Sequence, residues 1–524
     1  MAEKSTKSLE DAEAPSDQLN DKGHSNSNRN SDNPDATTTA PDTGSPDDVE
    51  ANKKPDDAPT APPDPNIVDW DGPDDPAYPR NWSTAAKTAN VALVSLSVLY
   101  GNLATTMFAP GANIMQKDLG FKSNTVEVLT ITIGSVGFAI GQLFAGPLSE
   151  VFGRMPVYRI SAITYMAFTV GCARSTDVAM FLVFRVCTGL AAASYMSTGG
   201  GTIADLLPKE KRGLAMAMYT SGPLLGPVIG PIVGGVVAEK LNWRWCFYLV
   251  LMLAGAVNTT SFIVMRETSY VHILRSKAKR LRKQTGNPNL RAAGDKNTPL
   301  SKLVAHALLR PPRFLFLSPM VALTALYIGL IFGIVMLLFA TFPLVFEENY
   351  GWSVAVAGLG YIGVGIGAAF GLVALGKLSD RLLHINDGKY KAERRLILVM
   401  WVAPLIPVGL FIYGWTARYK VHWVVPIIGT AIASPGIVVV TSSCQAYMID
   451  IFGPQAAASA LSAITLLRNM MGAFLPLGAP SLYANLGLGW GNTVLAFVTV
   501  AFIPAPFIFY RWGDWLRQKF PVEI

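Results

Sequence analysis

Twelve apolar stretches, most of about twenty residues or more, follow one another between residues 88 and 510. Each is of the order needed to cross the roughly 30 Å hydrocarbon core of a bilayer as a helix. In hydrocarbon an unpaired backbone polar group has no water to bond to, so a crossing segment must close its hydrogen bonds internally and becomes a helix. The crossings are expected near 88–109, 127–146, 157–174, 178–204, 213–237, 245–265, 314–342, 354–375, 395–416, 422–448, 456–484 and 490–510. The expected class is an all-α membrane protein.

Composition agrees with that class. The chain is 51% hydrophobic and 15% charged, against roughly 25% charged residues in soluble domains. The charge is also unevenly spread. Residues 1–80 hold 19 Asp/Glu against 7 Lys/Arg, and the remainder 36 basic against 17 acidic residues. The basic excess lies mostly in short loops between apolar runs, so the high pI is not a nucleic-acid signal. Residues 1–79 are poor in large apolar groups and are expected to form a disordered acidic tail. No apolar run precedes residue 88, so the first crossing is expected to serve as the insertion signal.

A polar segment at 266–313, with about twelve Lys/Arg including Arg275, Lys277, Lys279, Arg280, Arg282 and Lys283, separates six crossings from six. The expected organisation is a tail at 1–79, a six-helix bundle at 80–265, a basic central loop at 266–313, a second six-helix bundle at 314–510 and a short tail at 511–524. With the amino terminus in the cytosol, the loops at 147–156, 205–212, 266–313 and 376–394 and the end of the chain fall inside. These hold most of the loop Lys/Arg, as the positive-inside rule requires. Both termini are then cytosolic, and the Asn-Trp-Ser sequon at Asn81 escapes glycosylation. Trp243, Trp245, Trp352, Trp423, Trp490 and Trp512 fall near span ends, where indole rings favour the interface. Cys172, Cys187, Cys246 and Cys444 lie at unrelated spacings in or beside apolar runs and read as packing residues.

Within the fifth span, residues 222–235 read Gly-Pro-Leu-Leu-Gly-Pro-Val-Ile-Gly-Pro-Ile-Val-Gly-Gly. In water, proline and glycine at this density would break a helix. In a bilayer the helix survives, glycine lets a neighbouring helix approach closely and proline sets a bend. The halves also repeat one another: Gly146-Pro147-Leu148-Ser149-Glu150 closes the second span and Gly376-Lys377-Leu378-Ser379-Asp380-Arg381 the eighth. Such a repeat implies two pseudo-symmetric bundles around a midplane site, rocking against each other.

With Gly146 through Arg154, Arg185 in Phe-Arg-Val-Cys-Thr-Gly and the Gly-Pro run, the chain resembles the major facilitator superfamily. Pro79-Arg80-Asn81-Trp82-Ser83, Asn242-Trp243-Arg244-Trp245 and Arg468-Asn469 narrow the resemblance to its fungal drug:proton antiporters with twelve spans. It covers residues 79–515. The resemblance implies a proton-driven exporter of small amphipathic molecules such as drugs, toxins, fungal secondary metabolites or polyamines. The family's loop pattern usually has Asp, then Arg, and a second basic residue after Gly-Arg. Glu150, Val151 and Met155 stand there instead, which thins the loop's charge relay.

Arg185 lies at bilayer depth, where a charge costs at least a few kcal/mol and is normally aimed at a cavity or partner. Pairing with backbone carbonyls would explain it structurally; the resemblance assigns the position to proton coupling. Arg468 in the eleventh span is open to either role. For Gly222, Pro223, Gly226, Pro227, Gly230, Pro231, Gly234 and Gly235, close packing is one explanation, and the resemblance adds an antiporter motif that controls leak through the bundle interface. In the gating loop, Gly146 and Gly153 permit a tight turn, and Glu150 can pair with Arg154 to hold the inward gate shut. Asp380 and Arg381 would do the same for the second half. No carboxylate lies clearly at mid-depth; Glu127 and Asp450, at span ends, are the nearest to coupling carboxylates. Asn102, Tyr219, Tyr327, Tyr361, Gln445 and Tyr447 are candidates for the substrate cavity.

Gly371 through Lys377 has the letters of a phosphate loop but Leu378 at the Ser/Thr place, and Gly358 through Gly363 those of a dinucleotide fingerprint with no strand before it. The five histidines form no ligand-spaced set. No cofactor, metal or enzymatic activity is expected, and the partners are a small-molecule substrate, protons and the bilayer, with a monomer mechanically sufficient. The plasma membrane is the expected location, with the vacuolar membrane as alternative. An uptake symporter or facilitator and a membrane sensor are the competing classes. Deleting residues 1 to about 75 separates exporter from sensor, because only the sensor loses its output.

Overall fold

The computed structural model describes residues 65–208, 211–294, 300–383 and 392–519, with the side chains of 300–304, 306, 307, 379–383, 454 and 455 outside that description. Among the described residues, ten segments are long and apolar enough to cross a membrane. One of them, Ala456–Lys519, runs for 64 residues and is broken at Gly487, whose φ of 70° only glycine adopts easily, so it supplies two crossings. Gly453, with φ 67°, likewise divides Val424–Phe474 into crossings 10 and 11. Arg154–Ala173, less apolar at its start, completes the twelve.

In chain order, crossing 1 is Thr84–Thr106, crossing 2 the consecutive pieces Asn124–Thr132 and Gly134–Phe152, crossing 3 Arg154–Ala173 and crossing 4 Val178–Leu206. Crossing 5 is Arg212–Lys240 and crossing 6 Trp243–Val264. The second half begins with crossing 7, Pro319–Tyr350, followed by crossing 8 from Val354 through Ile362–Leu383. Crossing 9 comprises Arg395–Val402 and Leu405–Arg418. Crossings 10, 11 and 12 are Val424–Gly453 and residues 456–486 and 488–519. Ser83, Ser123, Asp177, Asn242 and Ser318 each accept a backbone N–H of the helix that follows, which satisfies donors that a helix start leaves orphaned.

Each half has its own apolar core, one drawn from residues 91–265 and the other from 314–509. The same pairings recur in both, and glycines mark them. Gly226 lies against Leu103, joining crossings 1 and 5, and Gly333 against Met471 and Leu475, joining 7 and 11. Gly137 and Gly141 seat crossing 2 on Val186 and Leu190 of crossing 4, and Gly363, Gly367 and Gly371 seat crossing 8 on Ile427, Ala431 and Pro435 of crossing 10. Of the glycines that mimic nucleotide motifs, Gly358, Gly360, Gly363 and Gly371 are thus close-packing contacts between helices, whereas Gly376 has nothing within 4 Å. Crossing 3 packs on 6 and crossing 9 on 12.

The ends differ. Counting crossings, the turns at Gly153 and Gly453 and the chain from 65 to 83 share one end, here called the Gly153 end; Gly351 and Gly487 mark the other. At the Gly351 end the halves meet: Gly235 abuts the Val354 carbonyl and Gly358 that of Pro231, and the Ala355 N–H donates to Glu239 Oε2 at 2.7 Å. Nearer mid-depth, Thr132 Oγ1 donates to the Ala473 carbonyl at 2.9 Å. At the Gly153 end a cleft of about 1130 Å3, open solvent included, lies between Gln142, Gly146 and Glu150 on one side and Ser459 and Ser462 on the other.

Two segments depart from the sequence expectation. The expected disordered tail falls outside the described residues up to 64, but 65–79 are ordered. Ile67–Val68 pairs in parallel with Arg291–Ala292, and Trp70 and Tyr78 close on Tyr270. The central loop is not simply a loop: it holds helices at Tyr270–Thr285 and Leu300–Leu317. Lys277 binds Asp71 at 2.6 Å and lies 3.9 Å from Asp75, so the acidic end of the tail is held by the basic helix. Asp75 accepts the backbone N–H groups of Asp71 and Ala77; these, with Lys277, hold its carboxyl below the usual carboxylate range. A lowered folded pKa means that its contribution is complete above the ordinary carboxylate pKa of about 4 and is lost as pH falls through the folded value. Trp70→Ala removes two aromatic contacts, and proteolysis within 65–80 is expected to accelerate by roughly tenfold as the open population rises. Unchanged cleavage would mean the strand pair and ion pairs suffice.

Candidate functional site

Arg185 in crossing 4 is 4% exposed. Its guanidinium donates to the carbonyls of Ala104 at 3.1 Å and Thr105 at 2.9 Å, and to those of Thr130 at 3.4 Å and Ile131 at 3.2 Å. The first two belong to the last turn of Thr84–Thr106 and the others to the last turn of Asn124–Thr132. A helix leaves its last carbonyls without internal partners and carries its negative dipole end there. The breaks after Thr106 and at Ile133 thus build, within the bundle of crossings, a seat for a cation. The rings of Phe108 and Phe247 face the guanidinium at 5.4 and 5.8 Å.

Arg468, in crossing 11, stands across the interface. It lies over the Phe332 ring at 5.1 Å, and its Nε is buried without a hydrogen-bond partner, as is Nδ2 of Asn469. Both arginines line one cavity of about 970 Å3, mouth included, with residues from crossings 1, 2, 3, 4, 5, 6, 7 and 11. Its polar groups include Asn102, Thr105, Ser135, Thr169 and Thr188, and its apolar walls Phe138, Phe247, Phe332 and Met336. No carboxylate lines it among the described residues. Met196 borders both this cavity and the cleft at the Gly153 end.

The Gly-Pro run serves two surfaces. Its glycines face crossing 1: a Cβ at Gly222 would lie 2.9 Å from the Leu99 nitrogen, at Gly226 2.8 Å from that of Leu103, and at Gly230 2.9 Å from the Leu103 carbonyl oxygen. At Gly234 it would overlap the Met107 carbonyl. Pro223 and Pro227 instead line the cavity, while Pro231 and Gly235 meet crossing 8 of the other half. The helix runs unbroken from Arg212 to Lys240. Packing against crossing 1 accounts for the four-residue glycine spacing, and the same helix puts Pro223 and Pro227 on the cavity and Pro231 against the other half.

At the Gly153 end, Arg154 pairs with Asp205 at 3.3 Å and donates to Ser149 Oγ at 2.6 Å. The expected Glu150–Arg154 pair is therefore corrected: Glu150 is exposed on the cleft, and Arg154 points to crossing 4, where Gly201 leaves it room. Glu267 was not foreseen. It accepts N–H groups from Arg154 at 2.8 Å and Met155 at 3.0 Å, and from Thr268 and Ser269 at 3.1 and 2.9 Å, so one carboxylate caps crossing 3 and the start of Tyr270–Thr285. Its contacts leave no room for a side chain at Gly153, where φ is 92°. Glu267→Ala is expected to lower folding stability by about 2 kcal/mol, since four donors lose their acceptor; Glu267→Gln is expected to recover part of it in thermal melts. The second half has a counterpart in Arg395, at the start of crossing 9, bound to Asp450 of crossing 10 at 2.5 Å. The Asp380 and Arg381 side chains lie outside the described residues.

Neither coupling carboxylate reaches the cavity: Asp450 is in that ion pair, and Glu127 lies near Glu347 and Glu348 towards the Gly351 end. Of the six cavity candidates only Asn102 lines it, its Nδ2 donating to the Val98 carbonyl at 2.8 Å. The Tyr219 hydroxyl is spent on the Met196 carbonyl and that of Tyr361 on Phe339. Tyr327 stacks on Phe502 and Tyr447 on Phe509, and Gln445 borders none of the pockets described. Tyr165, Thr169, Phe247, Phe332 and Met336 were missed, and a span apolar on every side gives no local signal of which face looks inward.

Two similar six-crossing halves, sharing a central cavity with a cleft beside it at one end, define a membrane transporter. Residues 94–476 match the Major Facilitator Superfamily, and the chain belongs to that family. It is 50% identical over 463 residues to MFS transporter fsa7 of Fusarium sp. (strain FN080326), covering 88% of this chain and 91% of that one. It is 51% identical over 459 residues to MFS transporter prlG of Fungal sp. (strain NRRL 50135), with 87% and 97% covered. The Trichosetin biosynthesis cluster MFS transporter of Gibberella fujikuroi is 48% identical over 466 residues, with 88% and 91% covered. Among solved structures, a D-xylose-proton symporter aligns with a TM-score of 0.60 at 17% identity, over 80% of this chain and 98% of that one. A bacterial homologue of the human lysosomal transporter Spinster, inward-facing and unoccupied, aligns at 0.56 and 15%, over 84% and 100%. At these identities the two structures share the fold.

Proposed function

We propose that the protein exports small amphipathic molecules, of the fungal secondary-metabolite kind, in exchange for protons by alternating access. The observation that carries the reading is the central cavity, which joins Arg185 on its helix-end carbonyls to residues of both halves and is bordered, at Met196, by a cleft open at one end. Three relatives near 50% identity are named as transporters, one of them for a biosynthesis cluster, which supports a metabolite cargo. In this reading the Gly153 end, with its basic loops, is the cytosolic face, both termini are cytosolic, and the cleft at that end is the loading side. The plasma membrane is the location that export requires. In this reading Arg185 ties crossings 1, 2 and 4 into one unit, and proton binding and release act on the cavity it borders.

The test is reconstitution of the purified protein in liposomes with an imposed pH gradient, with and without uncoupler, following a fluorescent amphipath. Dye movement that follows the gradient, runs from the Gly153 face and collapses with uncoupler is expected. Equal flux with and without the gradient would replace the reading by facilitated diffusion.

A further inference from the structure

We infer that the cavity selects the anionic form of weakly acidic amphipaths and that Arg468 is the residue that binds their acidic group. This deepens the export reading and rests on it. The two cations of the cavity are not equivalent. Arg185 already has four carbonyl acceptors from two helix ends. Arg468 has a buried Nε with no partner, an aromatic ring beneath it and, among the described residues, no carboxylate in the cavity to offset its charge. Burying a guanidinium without an anion is unfavourable, and a ligand that brings one relieves the penalty. Guanidinium and carboxylate are geometrically matched, and the adjacent Asn469 Nδ2, also unpartnered, adds a donor to the same anion.

The rest of the cavity is suited to the remainder of such a molecule. Phe332, Phe138 and Met336 offer an apolar wall beside the two arginines, the apolar lining with few polar groups that small-molecule sites have. A cationic amphipath or a polyamine would meet two like charges and no acid. A neutral one would leave Arg468 as it is. The preferred order is therefore acid, then neutral, then amine.

The experiment uses the full-length protein in nanodiscs at neutral pH and three probes of one skeleton: dansyl-labelled undecanoic acid, its methyl ester and the corresponding primary amine. The acid is expected to bind at least about tenfold more tightly than the ester, as a hydrogen bond to a charged group implies, with the amine weakest. Arg468→Gln is expected to bring the acid down to the level of the ester without changing the ester, which also reports that the variant is folded; Arg468→Lys should keep part of the preference. Acid binding no tighter than that of the ester, or equal weakening of all three probes by Arg468→Gln, overturns the inference. If Arg468→Gln does not purify, the wild-type order alone decides. The two readings separate in proteoliposomes: acid preference without gradient-driven flux overturns export and leaves this inference standing, whereas flux with no charge preference does the reverse.

Discussion

Arg185→Ala is expected to lower gradient-driven flux by roughly 100-fold or more, the equivalent of about 3 kcal/mol of lost charge-assisted bonding, while the protein still inserts in the membrane. From crossing 4 the guanidinium hydrogen-bonds the last turns of both crossing 1 and the first piece of crossing 2. Without it the carbonyls of Ala104, Thr105, Thr130 and Ile131 are left with no cation between them. Arg185→Lys is expected to restore little, because a single ammonium cannot span carbonyls on two helices as a planar fork does. The measurement is initial dye flux at a fixed pH gradient, with insertion followed by fluorescence-detected size exclusion. Wild-type flux in the alanine variant would reduce Arg185 to a structural tie.

Gly234→Leu is expected to abolish folding, and Gly226→Ala to lower stability by about 2–3 kcal/mol, the upper part of the range for overpacking. The reason is backbone contact. At Gly234 a Cβ overlaps the Met107 carbonyl, and at Gly226 it lies 2.8 Å from the Leu103 nitrogen and 2.9 Å from Asn102 Cβ, so a rotamer change in one side chain cannot relieve either. Gly213→Ala and Gly200→Ala, with nothing within 4 Å, are the controls and should melt like the wild type. Intrinsic-fluorescence melts in detergent give the result. Equal melting of Gly226→Ala and Gly213→Ala would mean that crossings 1 and 5 are more loosely apposed than their backbones indicate.

Both predictions concern residues visible in the sequence, but the reasons for their effects were not visible there. The Gly-Pro run announced close packing, because four-residue spacing keeps glycines on one face of a helix whatever its neighbour. That the neighbour is crossing 1, and that Pro223 and Pro227 turn to the cavity, depends on helix rotation. Arg185 was placed at depth by counting residues, yet its acceptors lie on two other helices, 54 to 81 positions away. For Arg154 the sequence offered Glu150, one turn away; the fold supplied Asp205, 51 positions away. The tail was misjudged between 65 and 79 because composition reports whether a segment can bury a core of its own, and this one uses the surface of Tyr270–Thr285.

By itself the sequence determined what local chemistry determines: helical crossings from apolar length, the division into halves from a basic segment, the points of tight approach from glycine, and the depth of two arginines. Tertiary structure alone decided which side chains share the cavity, which cation is already satisfied and which residues line the cleft at the Gly153 end. The physical reason is that a bilayer makes every face of a helix apolar. The periodicity that would reveal an inward face in water is therefore muted, and rotation is set by the contacts between helices.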